Sequence, residues 1–351
     1  MTVEKTTFDA VDLVVWSGTG NTRRVAERVA EAARSHGSAT RVLTAQSAGD
    51  EPLVARRLLG LLAPTHGFTA PWPLVKAALT LPSVRGTDAF VLVTRGGTRV
   101  AGRTVSGFEG TAAYLPAALL ALRGAHVRAV GAIDMPLNWT VIVPSFGPES
   151  VAAIVERGDA QTDEFARRLL GGAHVYGGLG QLVVGVLILP LSLGYMLIAR
   201  LLLAKMFFAD DRCTSCGTCE RNCPQSAVRL TKKRRRPYWT YDCQNCMRCM
   251  SNCPTGAIQG GQAWLLFYIW LASLPVATLG ATALLDALGV SGGTAGGVVR
   301  LLFGYAWIVV AVWSAYAMLW FGLRVPGLRF VLSRATFTRR YRRYRGPADD
   351  A

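Results

Sequence analysis

Over the first 145 or so positions, apolar residues fall in short β-branched runs separated by stretches with helical spacing, the rhythm of a parallel sheet covered by helices. Runs at residues 13–16, 41–44, 58–62, 90–94 and 128–133 predict five strands. Amphipathic stretches at 22–34, 74–79 and 111–122 predict helices between them. A longer helical pattern over 148–170 leads out of the sheet. The expected unit is a doubly wound α/β domain over residues 8–147, with a linking helix at 148–172.

The pattern then changes. Between Arg168 and Arg200 lie 31 residues without a full charge, containing Gly-Gly pairs, Pro190 and a dense Leu/Val/Ile run. Two further apolar stretches, 264–285 and 301–323, follow, the second bounded by Arg300 and Arg324. Trp264, Trp307 and Trp320 stand near their ends, as interfacial anchors do. Two full spans need about 40 residues, so the segment 173–208 is too short for two. A single crossing there would put the domains on its two sides on opposite faces of the membrane. That segment is therefore expected to be a re-entrant or interfacial pair broken at Pro190, and 262–323 a transmembrane hairpin turning near residues 291–297.

Charge sharpens this picture. The formal net charge is +16, and eight arginines lie between Arg324 and Arg345, in a basic tail over 324–351 that adjoins an apolar run. Basic residues so placed suit an anionic cytoplasmic leaflet, at roughly 1 kcal/mol each near the surface. Membrane lipid is therefore an expected partner and nucleic acid is not. Glu4, Lys5 and Asp9 interrupt the first ten residues, which hold no apolar run, so no cleavable signal is read and the domains flanking the apolar stretches are expected on the cytoplasmic side.

All eight cysteines lie between positions 213 and 253. Cys213, Cys216, Cys219 and Cys223 spell C-x2-C-x2-C-x3-C followed by Pro224, and Cys243, Cys246, Cys249 and Cys253 repeat it before Pro254. A tight loop aims three thiolates at one iron-sulfur cube, and the fourth cysteine reaches the other cube. One [4Fe-4S] cluster is thus assigned to Cys213, Cys216, Cys219 and Cys253, the other to Cys243, Cys246, Cys249 and Cys223. Tetrahedral zinc, the competing reading, needs four ligands and no third cysteine two residues on. Residues 211–259 resemble the two-cluster bacterial ferredoxins, down to the Ala227-Val228 and Ala257-Ile258 pairs after each proline. The resemblance implies one-electron transfer within a small α+β module, over residues 209–261. The basic run Lys232 to Arg236 departs from it and is expected to lengthen the loop of a hairpin.

Ser17-Gly18-Thr19-Gly20-Asn21-Thr22 follows the first expected strand and opens the first helix, where phosphate binds. It lacks the lysine of a nucleoside-triphosphate loop and the G-x-G-x-x-G of a dinucleotide site. A plain helix N-cap is the competing reading. The loop resembles the flavodoxin phosphate loop, [ST]-x-T-G-x-T, which makes the expected fold a flavodoxin-like doubly wound parallel sheet. Two more loops are expected over the flavin ring: Pro64, Thr65, His66, Gly67 and Phe68 with Trp72 nearby, and Thr94, Arg95, Gly96 and Gly97. Residues 133–139 form another strand-end loop. The domain order is similar to a family of flavodoxin-ferredoxin fusion proteins over roughly residues 8 to 260, and this implies FMN rather than FAD. The apolar stretches depart from the soluble members.

The resulting expectation is a membrane-associated carrier with FMN and two [4Fe-4S] clusters, exchanging electrons with a redox partner protein or a membrane-soluble acceptor. No residue stands out as a catalytic acid or base. A flavin-dependent reductase of a quinone or isoprenoid, over Phe68, Trp72 and Trp139, and a scaffold with structural clusters are the alternatives.

Overall fold

The computed structural model describes residues 8–48, 57–82, 84–261, 275–289 and 293–346. The chain forms two compact units, one of Met1–Arg200 with Cys246–Ser251 and Arg342–Ala351, the other of Leu201–Asn245 with Asn252–Tyr341.

In the first unit the elements run β1 (Ala10–Val15), α1 (Asn21–Ser35), β2 (Ala39–Thr44), β3 (Arg57–Pro64), α2 (Trp72–Thr80), β4 (Asp88–Val100), β5 (Arg103–Val105), α3 (Tyr114–Leu122), β6 (His126–Pro136), α4 (Pro148–Leu170) and β7 (Val175–Tyr176). The sheet order is β2-β1-β3-β4-β6-β7, all parallel, with β5 antiparallel on the end of β4. Counting β6 as fifth, this is the 2-1-3-4-5 order of the flavodoxin-like fold. Both sheet faces are buried, which is why the strands read as nearly continuous apolar runs. Leu59, Leu61, Val91 and Val93 pack towards α2 and α3; Leu58, Leu62, Phe90 and Leu92 pack with α1 and α4. Gly60 admits the Phe90 ring, which would stand 2.6 Å (Cε1) from an added Cβ. An alanine there overpacks the core, at about 1–3 kcal/mol.

Two expectations change at the sheet's carboxyl edge. Residues 94–97 are not a loop: β4 continues through them, pairing Arg95, Gly96 and Gly97 with Asp134, Met135 and Pro136 of β6. Glycine is used here for close approach, since a Cβ on Gly96 would come 2.7 Å from Leu137 Cδ1. Likewise 133–136 are strand, not loop. The two-residue β7, too short to show a period, was not expected.

After β7 come α5 (Leu179–Leu187) and α6 (Leu189–Gly194), bent by 71°. The break falls at Ile188, two residues before Pro190, which sits in the first turn of α6. There its missing N–H costs nothing, whereas its ring excludes a continuous helix through the Val186 carbonyl. One side of this pair packs on the sheet domain: Gly185 abuts the Gly110 backbone, Tyr195 covers Gly67, and Gln181 Oε1 accepts from the Glu109 amide at 3.0 Å. The other side leaves Val183, Leu187 and Leu191 62–75% exposed.

The second unit begins with α7 (Arg200–Ala204) and β8 (Phe207–Ala209), followed by α8 (Thr218–Arg221), β9 (Val228–Leu230) and β10 (Pro237–Trp239). The one-turn α9 (Arg248–Ser251) folds with the first unit, and β11 (Ile258–Gly260) returns to pair with β8. Strands β9 and β10 form the expected hairpin, with the Lys232 to Arg236 run as its turn. Helices α10 (Pro275–Ala287) and α11 (Gly293–Gly322) pack through Gly280 against Phe303, and α12 (Pro326–Arg334) follows. At 30 residues, α11 is about 45 Å long and apolar enough to cross a membrane. The turn expected near 291–297 lies earlier, because 293–297 already form the first turns of α11. Trp264 and residues 290–292 lie outside the described residues. The far end of α11 meets the β9–β10 hairpin: the Trp320 ring lies 6.3 Å from Tyr238.

Candidate functional site

Backbone conformation shapes the Ser17 to Thr22 loop. It leaves β1 at its carboxyl end, and Gly20, at φ 96°, turns the chain into α1 with no side-chain cap hydrogen bond. The loop hydroxyls are therefore not spent on capping, contrary to the N-cap reading. Thr22 Oγ1 pairs with Thr94 Oγ1 at 2.8 Å, and Asn138 Nδ2 donates to Thr19 Oγ1. Asn21 Nδ2 donates to the Pro136 carbonyl at 3.1 Å, tying the loop to the end of β6.

The second loop is a tight reversal. His66 and Thr69 exchange backbone hydrogen bonds of 2.9 and 3.1 Å, with Gly67 at φ 54° and Phe68 at φ 64°. A phenylalanine in the left-handed region is strained, a feature concentrated at ligand sites. The His66 ring meets Trp16 edge-on at 5.1 Å, and burial pushes its pKa down to about 4, so the imidazole is neutral at physiological pH. Phe68 keeps an exposed face, as do Trp72 and Trp139.

Arg95, expected over the flavin ring, is engaged within the protein. Its guanidinium bridges two buried carboxylates, Asp134 at 2.8 Å and Glu109 at 2.6 Å. Asp134 also accepts from Ser106 Oγ (2.9 Å), the Gly107 amide (3.0 Å) and Gln161 Nε2 (3.0 Å). Against the upward push of burial, these donors, Arg95 first, hold its carboxyl below the usual range. The network fixes the strand ends beside the loops.

Three polar atoms at this edge, Ser17 Oγ, Thr65 Oγ1 and Asn138 Oδ1, are buried and find no hydrogen-bond partner among the described residues. Orphans of this kind are costly and call for a ligand. They come from all three strand-end loops, so the residues fit a phosphate-bearing flavin.

Two groups of residues that sequence reasoning missed close over the first loop, all within the first unit. Cys246 packs its carbonyl on Gly18, where any side chain would collide with it, and Arg248 Nη1 donates to the Gly18 carbonyl at 2.9 Å. The Gly346 amide donates to the Thr19 carbonyl at 2.9 Å, and Tyr344 Oη donates to Asn21 Oδ1 at 2.5 Å.

The two cysteine motifs share one backbone design. The second and fourth residues after each leading cysteine, Ser215 and Gly217 in one, Asn245 and Met247 in the other, all have positive φ. So do Ser226 and Gly256, each three residues after the fourth cysteine. Ala227 N lies 3.2 Å from Cys223 Sγ and Ala257 N lies 3.2 Å from Cys253 Sγ, the N–H···S bonds that tune a cluster. Within the second unit, Cys213, Cys216, Cys219 and Cys253 line a single small cavity. Burial, with Cys213 and Cys253 beside it, pushes the Cys219 thiol up to about 12. A hydrogen bond with Thr218 draws Cys216 down. Four cysteines around one small cavity suit an iron-sulfur cube.

Residues 212–258 match the 4Fe-4S dicluster domain family. No curated protein matches the chain. Among solved structures it is similar to rubredoxin:oxygen oxidoreductase from the anaerobe Desulfovibrio gigas, at 14% identity and TM-score 0.30 over 47% of this chain and 37% of that one. It is also similar to a flavodoxin from the domain Archaea (16%, TM-score 0.27, 45% and 99%) and to the flavodiiron protein from Giardia intestinalis (16%, TM-score 0.29, 47% and 37%). The chain thus spans little more than a third of the length of the oxidoreductase and of the flavodiiron protein. The sheet order and the family match together describe a flavodoxin-like domain joined to a 4Fe-4S dicluster domain, the make-up of an electron-transfer flavo-iron-sulfur protein.

Proposed function

We propose that this chain is a membrane-bound relay between FMN and two [4Fe-4S] clusters, serving a redox partner in or on the membrane. The observation that carries the reading is the seat of residues 246–248 on the phosphate loop, with Arg248 bonded to the Gly18 carbonyl at 2.9 Å. It brings a cluster-binding loop to the flavin loop. Bound FMN supplies two-electron exchange and a [4Fe-4S] cluster one-electron exchange. The chain's own part is placement. Ser17, Thr19, Thr22 and the first amides of α1 hold the phosphate, while Thr65 and Asn138 offer hydrogen bonds to the remainder. Phe68 and Trp72 shield the ring from water. Each cluster is held by three cysteines of one motif and the fourth of the other.

Membrane attachment is supported by the length of α11 and by the exposed outer face of α5 and α6. The grouping of residues 148–170, 246–251 and 342–346 in one compact unit supports a topology in which each intervening apolar segment returns to the side it left. In that topology α5 and α6 are a re-entrant or interfacial pair and α11 is one arm of a hairpin. The basic character of 324–345 favours the cytoplasmic side.

Two measurements test this. Full-length protein purified anaerobically should carry FMN and eight iron per chain, and flavin reduction by dithionite-reduced clusters should proceed at a rate independent of protein concentration. Absence of FMN, or a rate set by collision between molecules, would refute the relay. Proteolysis in sealed inverted vesicles should cut the α/β domain and residues 342–346 from one face, and cleavage from opposite faces would refute the topology. The reductase reading is favoured only by the exposed Phe68, Trp72 and Trp139. Flavin turnover with a quinone after both clusters are removed would support it.

A further inference from the structure

A cavity of about 330 Å³ lies within the second unit, where the β9–β10 turn faces the corner between α11 and α12. Lys233, Arg234 and Arg236 line it from the turn, and Arg324 and Arg329 from the helix corner. Among the described residues, no carboxylate pairs with Lys233, Arg234, Arg324 or Arg329; the nearby acids Asp210 and Asp211 are taken by Arg212 and Arg339. Arg236 donates to a backbone carbonyl, that of Asp210, at 2.6 Å, and so keeps its charge uncompensated. Five cations around one cavity without an acid repel one another and favour an anion with several acceptor oxygens.

The apolar surroundings narrow the kind of anion. Trp320 and Leu323 line the same cavity at the end of the apolar helix α11. Beside it Phe321 is 65% exposed, and α12 exposes Leu328, Phe330 and Val331. An acidic protein or a nucleic acid would leave these side chains facing water. A lipid covers them, with its phosphate at the level of the arginines and its chains at the level of Phe321 and Leu328. The volume sits at the small end of ligand cavities, roughly 300–1,000 Å³, which suits a headgroup rather than a whole lipid.

We propose that this cavity binds the phosphate headgroup of an anionic phospholipid, seating the β9–β10 hairpin on the bilayer surface. This rests on the membrane reading above. Pro237 lines this cavity and the cavity of Cys213, Cys216, Cys219 and Cys253, so the bound lipid lies against the wall of a cluster loop.

The test is native mass spectrometry of the full chain released from detergent micelles and titrated with short-chain phosphatidylglycerol, phosphatidylcholine and inorganic phosphate. One phosphatidylglycerol should bind at least about tenfold more tightly than phosphatidylcholine, as expected of charge-assisted hydrogen bonds. Lys233→Gln with Arg324→Gln should abolish that preference, whereas Arg85→Gln with Arg103→Gln should leave it intact. Both substituted positions in the cavity are exposed, and unchanged circular dichroism confirms folding; the single variant Arg234→Gln serves if the double variant does not fold. Equal retention of the two lipids, displacement of phosphatidylglycerol by equimolar inorganic phosphate, or an unaffected double variant overturns the proposal. A chain that stays in the membrane fraction without headgroup preference overturns this proposal alone. A chain that is soluble without detergent overturns the membrane reading itself.

Discussion

Replacing Tyr344 with alanine tests whether residues 342–346 complete the proposed flavin phosphate site. Tyr344 is 4% exposed, and its hydroxyl holds the Asn21 carboxamide at 2.5 Å while Asn21 reaches the Pro136 carbonyl at 3.1 Å. The substitution removes a buried ring, about 1.5–3 kcal/mol, and a hydrogen bond, about 0.5–1.5 kcal/mol. The docking of this segment is therefore worth about 2–4 kcal/mol, and each 1.4 kcal/mol is tenfold in affinity. If the segment closes the loop over the phosphate, the Kd for FMN rises by about thirty- to seven-hundredfold. Flavin fluorescence quenching on flavin-stripped protein that retains its clusters measures this directly. Riboflavin, which lacks the phosphate, is the internal control and should bind Tyr344→Ala and the parent equally. Tyr344→Phe keeps the ring and should fall between the two. Equal weakening for FMN and riboflavin would reduce the effect to general destabilisation, and unchanged FMN affinity would remove the segment from the site altogether.

Cys253→Ser should halve the iron and sulfide content while leaving the cluster assigned to Cys243, Cys246 and Cys249 detectable by EPR; loss of both clusters or of neither contradicts the crosswise assignment. Asp134→Asn leaves Arg95 facing Glu109 alone and should cost about 3–5 kcal/mol in denaturant unfolding. The folded carboxyl of Asp134 titrates below its ordinary value of 3.8, so its contribution is complete above that value and is lost as pH falls through the lower folded value; in Asp134→Asn this part of the acid transition disappears. His66 acts over a higher window. Its folded pKa is about 4 against an ordinary 6.5, so the unfolded chain takes up the proton first, and stability declines from pH 6.5 towards 4 and levels off below. Urea midpoints across that range should show the decline in the parent and not in His66→Gln.

The sheet was legible because its strands are buried on both faces, so 58–62 and 90–94 stand out as apolar runs whatever the tertiary context. The cysteine loops were legible because ligation fixes spacing. Gly96 and Gly97 misled for a physical reason: paired glycines signal a turn, and here they answer the closeness of Leu137 to Gly96 and of Asp134 and Ile154 to Gly97 along extended backbone. The glycines at 293, 296 and 297 misled in the same way, since they stand in the first turns of a 30-residue helix. Arg248 and Tyr344 had no local signal. They act on Gly18 and Asn21 across 230 and 323 residues, and neither period nor motif carries information over such a separation.

The contact of residues 344–346 with the phosphate loop also orders the protein's assembly in time. The α/β domain is synthesised first and can begin to fold on its own, yet the residues that close its loop follow every apolar segment in the chain. On the proposed membrane reading, insertion therefore precedes completion of the loop during biogenesis. On the proposed topology, a chain in which only one arm of the hairpin inserts would leave residues 344–346 on the opposite face from the α/β domain and keep an open loop. Cofactor retention then becomes a report on correct topology.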